Sequence, residues 1–310
     1  MITVANTDDI QAIANDWNSY FGCEISSEMF ARIYYANESR DPSAFFIEKE
    51  DNQIVGFCIG IKRRVPYLDR GLEEEKAFLL AIGVKKEYRN KGIGTSLLKR
   101  FEQYYAENSR IIAVGQFSPY YFFPAVEENS EAFHLFLANG YKPYDKCFGM
   151  HMNLTDYKKP DDICRFQKKR EEEGFRFCNY NEKYALELLQ FVENSFTAGW
   201  YYSICSAVLN EHAERTVLLA IKDAHIIGYI QREFDYDPNR FGPFGVSEEY
   251  RNKGIGAILL HNCWQEMAHE GKQFAYFKTT DELAQKFYLR NGMTTDKVMW
   301  HMKKEIEEKG

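Results

Sequence analysis

Tyr88-Arg89-Asn90-Lys91-Gly92-Ile93-Gly94 recurs unchanged as Tyr250-Arg251-Asn252-Lys253-Gly254-Ile255-Gly256, 162 residues further along the chain. Each copy follows an apolar, strand-like run that ends in valine, Val84 or Val246, five residues before the arginine. Each then opens a stretch with apolar residues at helical spacing: Leu97, Leu98, Phe101 and Tyr105 in the first copy, Ile255, Ile258, Leu259 and Cys263 in the second. The duplicated piece is therefore strand, turn and helix, and the chain reads as two copies of one domain.

A chain that leaves a strand and enters a helix through Gly-x-Gly presents backbone N–H groups with no intrahelical partner, and these want an anion. Glycine tolerates the angles of a concave nest and lets a phosphate approach the amides. Arg89, Lys91, Arg251 and Lys253 place positive charge beside the two nests, so a diphosphate is the natural guest. A Walker-type loop needs Gly-Lys followed by Ser or Thr, whereas Gly94 precedes Thr95-Ser96 and Gly256 precedes Ala257-Ile258. A dinucleotide fingerprint needs a third glycine where Leu97 and Leu259 stand.

The remaining pattern, Arg-x-x-Gly-x-Gly between a strand and a helix, resembles the acyl-CoA pyrophosphate loop of the GCN5-related N-acetyltransferases. Ile82-Gly83-Val84 through Arg89, Gly92 and Gly94 carry the resemblance in the first copy. Phe244-Gly245-Val246 through Arg251, Gly254 and Gly256 carry it in the second. It implies an α/β fold with a mixed, antiparallel-dominated sheet flanked by helices, in two tandem domains placed at 1–158 and 159–310. It also implies acetyl-CoA as donor and direct attack by a bound amine in a ternary complex. Cofactor contacts are expected from Ile82, Val84, Arg89, Asn90, Lys91, Gly92, Ile93, Gly94 and Thr95, and from Phe244, Val246, Arg251, Asn252, Lys253, Gly254, Ile255, Gly256 and Ala257. The tandem arrangement is also that of mycothiol synthase, whose pathway substrate is not carried over.

Composition narrows the partners. With 310 residues the chain suits two domains rather than one core. The net charge of −7 divides evenly between the halves, and no basic face emerges, which argues against nucleic acid. No apolar run reaches the length of a membrane helix, and Met1-Ile2-Thr3-Val4 starts no basic-then-apolar leader, so a cytoplasmic protein is expected. The seven scattered cysteines form no Cys-x-x-Cys pair and the seven histidines no ligand spacing, so neither disulfides nor a metal is expected. A homodimer is an open alternative to a monomer.

The halves follow one order: an edge strand, two helical patterns, a hairpin (44–61 around Asp51-Asn52, and 216–233 around Asp223-Ala224), the motif strand, the motif helix, a strand and a last helix. The last helices end at Asn139-Gly140 and Asn291-Gly292, good C-terminal caps. Tyr157 to Glu173, charged and containing Pro160, reads as a linker with a short surface helix.

Acyl transfer from a thioester to an amine needs a free amine, a held oxyanion and a proton for the departing thiolate. An alkyl ammonium has a pKa near ~10, so a carboxylate must relay its proton away, directly or through water. A backbone N–H around Phe244 to Val246 can hold the oxyanion. The resemblance places the general acid on a tyrosine three residues before the last helix's Asn-Gly end: Tyr288 in the second copy, where the first has Phe136. Phenylalanine has no proton to give, so the second copy is expected to catalyse and the first to be degenerate or structural. Glu233, at the end of the strand before the motif strand and ahead of Asp235 and Asp237, is the expected base. The block Tyr120-Tyr121-Phe122-Phe123 reads as packing in preference to a substrate wall, and Cys263 as core in preference to an acyl-carrying nucleophile. The expected acceptor is a small-molecule amine. Alternatives are a CoA-binding regulatory or scaffold protein without turnover, and a protein or peptide N-acetyltransferase.

Overall fold

Alternation along 45–47 and 57–59 sends Phe45, Ile47, Phe57 and Ile59 to one face and Phe46 and Cys58 to the other, so the sheet they form must be covered on both sides. In the computed structural model, which describes residues 1–210, 212–234 and 237–306, it is. The chain divides into two compact units: Met1–Cys147 with Lys297–Gly310, and Phe148–Asp296.

Unit 1 contains β1 (Ile2–Val4), α1 (Thr7–Asn15), α2 (Trp17–Phe21), α3 (Ser27–Phe30, continued by a π-helical turn), β2 (Phe45–Glu50), β3 (Gln53–Ile61) and β4 (Lys76–Val84). After the motif come α4 (Ile93–Tyr105), β5 (Ile111–Val114), β6 (Val126–Glu127), α5 (Glu131–Ala138) and the start of β7 (Lys142–Asn153). The strands lie in the order β1-β2-β3-β4-β5, antiparallel except for the β4–β5 pair. Ile10, Ile13, Trp17 and Tyr20 cover one face. Leu97, Leu98, Phe101 and Tyr105 of α4 cover the other, with Phe101 pressed so closely on Gly60 that a Cβ there would lie 2.5 Å from the ring.

Unit 2 begins in the second part of β7 and continues through α6 (Asp161–Glu172), β8 (Phe175–Asn179), α7 (Ala185–Ser195), α8 (Ala198–Leu209), α9 (Ala213–Thr216), β9 (Val217–Lys222), β10 (His225–Arg232) and β11 (Phe241–Val246). It ends with α10 (Ile255–His269), β12 (Phe274–Thr280), α11 (Glu282–Arg290) and the first residues of β13 (Thr294–Glu305). β8-β9-β10-β11 form an antiparallel sheet. Leu188, Val192 and Ile204 pack on Val217, Leu219 and Tyr229. On α10, Ile258, Leu259, Cys263, Trp264 and Met267 are buried.

β7 and β13 were not foreseen from the sequence, and each is divided between the units. In unit 1, β5 pairs antiparallel with residues 302–305 of β13; in unit 2, β12 pairs antiparallel with residues 148–153 of β7. The compact units thus divide within strands, at 147/148 and 296/297. The linker reading of Tyr157 to Glu173 becomes a 12-residue helix, α6, with acidic residues in its first turn and Lys169 and Arg170 in its last, as the helix dipole favours.

Candidate active site

The identical heptads fold identically. Each passes through a short 3-10 turn, Lys86–Tyr88 or Glu248–Tyr250, and then through an asparagine in the left-handed region (φ +62° at Asn90, +60° at Asn252). Asparagine is among the few side chains that tolerate this. Gly92 (φ +81°) and Gly254 (φ +77°) follow as N-caps of α4 and α10, and no side chain caps either helix. The first-turn N–H groups are left for an anion. Lys91 and Lys253 each lie with Nζ 4.7 Å from the ring centre of the tyrosine that opens the motif.

The motif strands lose their neighbour beside these nests. β4 pairs with β5 only from Lys76 to Leu79, leaving 80–84 without a β5 partner. In unit 2 the loss is greater, since the one bridge between this strand and β12 among the described residues is Arg240 with Tyr276. Ser247 donates its N–H to Ile227, so alternation turns the amides of Phe244 and Val246 away from β10 and into the splay. Lys85 donates to Val55, which turns those of Ile82 and Val84 the same way. A pantetheine arm laid into either splay would meet the two amides of that strand.

Around this shared frame the copies differ. Arg89 donates Nε to Val84 O (3.0 Å) and Nη2 to Tyr20 O (2.8 Å), and its Nη1 lies 2.6 Å from Glu131 Oε2. Its charge is neutralised and its fork is filled. Arg251 repeats only the first contact, Nε to Val246 O at 3.3 Å, and its terminal nitrogens meet no carboxylate among the described residues. A diphosphate at the second nest would find a fork free for bidentate bonding.

The last helices differ in the same sense. Phe136 is buried (2% exposed) against Tyr141. Tyr288 is half-buried at the mouth of the splay, its ring centre 4.6 Å from Phe277 of β12 and 6.2 and 6.3 Å from Phe241 and Phe244 of β11. Burial, with smaller contributions from Asp281 and Cys263, pushes its hydroxyl well above the usual tyrosine range, so it keeps its proton at neutral pH. Its position is held from behind. Tyr157 Oη lies 2.6 Å from His261 Nδ1, His261 Nε2 lies 3.3 Å from Asn291 Oδ1, and Asn291 Nδ2 donates to Phe287 O at the end of α11. Burial lowers His261 to about 4, which keeps the ring neutral, receiving from the tyrosine and donating to the asparagine.

Glu233 does not present the free carboxylate expected of it. Both its oxygens are taken by the two terminal nitrogens of Arg215, which hold it below the usual carboxylate range. Asp237 accepts from the Tyr276 hydroxyl, and Asp235 lies outside the described residues. No local pattern points to Arg215, because an arginine 18 positions upstream becomes a partner only when β9 and β10 pair.

The two packing readings stand. Phe122 and Phe123 lie among Trp17, Phe21 and Phe30 at 4.8–6.1 Å. Cys263 is 1% exposed and burial pushes its thiol up to about 12, beyond use as a nucleophile at neutral pH. No cluster of metal-ligating side chains occurs among the described residues, and none of their helices is long and apolar enough to cross a membrane.

Models of two acetyltransferase families match the chain, Acetyltransferase (GNAT) family at residues 10–123 and Acetyltransferase (GNAT) domain at 213–294, together more than half its length. An uncharacterized N-acetyltransferase of Methanocaldococcus jannaschii is 33% identical over 64 residues, 21% of this chain and 35% of that relative. Among solved structures, a fungal GCN5-related glucosamine N-acetyltransferase region superposes with a TM-score of 0.76 at 19% identity, over 98% of this chain and 38% of that one. A GCN5-related N-acetyltransferase from Sphaerobacter thermophilus gives 0.69 at 18% identity over 99% and 96%. A tandem GNAT protein from the clavulanic acid biosynthesis pathway gives 0.62 at 13% over 100% and 99%. With two nests of the same geometry, two splayed motif strands and a family match on each half, the chain belongs to the GCN5-related N-acetyltransferase family as a tandem member.

Proposed function

We propose that the chain transfers the acetyl group of acetyl-CoA to a primary amine of a small molecule, by direct attack, and that the second repeat does the chemistry. In repeat terms we place its start at 159, ahead of α6. The observation that carries this reading is the contrast between the copies: Arg251 without a carboxylate partner among the described residues and Tyr288 at the splay, against Arg89 paired with Glu131 and a buried Phe136.

The diphosphate of the donor would lie on the amides after Asn252, with Arg251 beside it, and the amides of Phe244 and Val246 would face its acyl arm. Attack by the neutral amine forms the C–N bond and pushes charge onto the carbonyl oxygen, which an amide of this strand receives. As the C–S bond breaks, Tyr288 gives its proton to the sulfur, and the surplus proton on the acylated nitrogen passes through water to the phenolate left behind, a transfer of the kind worth about 10²–10⁴ in rate. Glu233 would take the ammonium proton only once the Arg215 fork opens. The free thiols fit a reducing compartment, the cytoplasm.

Thiol release measured against polyamines, amino sugars and peptides tests the reading. Tyr288→Phe is expected to lower kcat about 100-fold, with acetyl-CoA affinity unchanged and Phe136→Tyr silent. An unaltered kcat in Tyr288→Phe removes the acid, and an unaltered pH–rate profile in Glu233→Gln removes the base. Binding without release on any amine favours the regulatory alternative, and release with peptides alone favours the protein-directed one.

A further inference from the structure

Gly254 and Gly92 have the same backbone and different surroundings. A Cβ on Gly92 would meet nothing within 4 Å. One on Gly254 would fall 1.8 Å from Phe166 Cε1, because the Phe166 ring of α6 lies flush against that glycine. One turn along α6, Arg170 donates Nε to the carbonyl of Lys253 at 3.1 Å. That arginine is itself fixed: its guanidinium stacks over Phe166 (4.8 Å) and pairs with Glu173. α6 opens the second repeat, ahead of β8, and among the described residues no side chain takes the same place against Gly92.

In a planar trans peptide the C=O and the following N–H point in opposite directions. Holding Lys253 C=O toward α6 therefore aims Gly254 N–H away from α6, into the concave side of the turn. The phenyl ring blocks the alternative rotation of that peptide, which glycine would otherwise allow. Binding to a nest already in place avoids the ordering cost that a loose glycine turn would impose.

We propose that Phe166 and Arg170 are positioning residues for the second nest: α6 holds the Lys253–Gly254 peptide in the orientation that binds the donor's diphosphate. Among the described residues the first nest has no such buttress. This inference rests on the donor reading above and adds to it an element that touches neither the acyl group nor the acceptor.

The test is calorimetric titration of the full chain carrying Gly92→Glu, which silences the first nest, with acetyl-CoA and with S-acetylpantetheine, which lacks the diphosphate. Phe166→Ala and Arg170→Ala are expected to weaken acetyl-CoA about tenfold and leave S-acetylpantetheine within twofold. Phe166→Leu and Arg170→Lys should recover most of the loss. Equal losses for both ligands would show general damage to unit 2 and overturn the proposal, as would unchanged acetyl-CoA affinity in both alanine variants. Absence of acetyl-CoA binding in the Gly92→Glu parent would instead overturn the donor reading, and this inference with it.

Discussion

His261 shows how one buried side chain ties the site to pH. It is 4% exposed on α10, and its folded pKa of about 4 lies below its usual 6.5, chiefly because burial disfavours the charged ring. Lys159 lowers it further, while Asn291 and Asp162 act the other way. The folded state thus refuses a proton that the unfolded chain accepts. The contribution to stability is complete above about 6.5 and is lost as pH falls toward about 4, in all about 3 kcal/mol at ~1.4 kcal/mol per pKa unit. Denaturation followed from pH 7 to pH 4 should show this loss in the parent protein and lack it in His261→Gln. Parallel curves would contradict it. The same scale shows what the sequence could carry. Gly92, Gly254 and Tyr288 stand at fixed offsets within recognisable local patterns, so their places were legible. Arg215 on Glu233, Glu131 on Arg89 and Phe166 on Gly254 were not, since each partner arrives from a different element.

At the scale of elements, the hairpins, motif strands and motif helices were readable because their apolar signal is local: short continuous runs bounded by a turn in β2 and β3, helical spacing in α4 and α10. β7 and β13 were missed for the opposite reason. Lys142-Pro143-Tyr144-Asp145-Lys146 and Thr294-Thr295-Asp296-Lys297 are polar, and what makes them strands is pairing with remote segments. Met302 of β13 is fully buried in the unit 1 cluster with Leu97 and Phe101, though about 200 residues separate them in sequence. Met302→Ala should therefore cost about 2–5 kcal/mol, the range for emptying a core site, and the loss should fall on unit 1. A loss under about 1 kcal/mol in denaturant unfolding would show that β13 does not complete that core.

At the scale of the whole molecule, the chain is one domain plan written twice and then differentiated. Both copies keep the nest, the left-handed Asn and Gly, and the splayed strand. The first spends its arginine on Glu131 and fills the face above its sheet with Trp17, Phe21, Phe122 and Phe123. The second leaves Arg251 without a carboxylate among the described residues and brings Tyr288 to the splay. On the proposed reading the second nest holds the donor. Calorimetric titration of acetyl-CoA into the parent, Gly92→Glu, Gly254→Glu and Arg251→Ala chains tests it most directly. Affinity should be unchanged in Gly92→Glu, absent in Gly254→Glu and about tenfold weaker in Arg251→Ala, the worth of a charge-assisted hydrogen bond. Affinity lost in Gly92→Glu and kept in Arg251→Ala would contradict it.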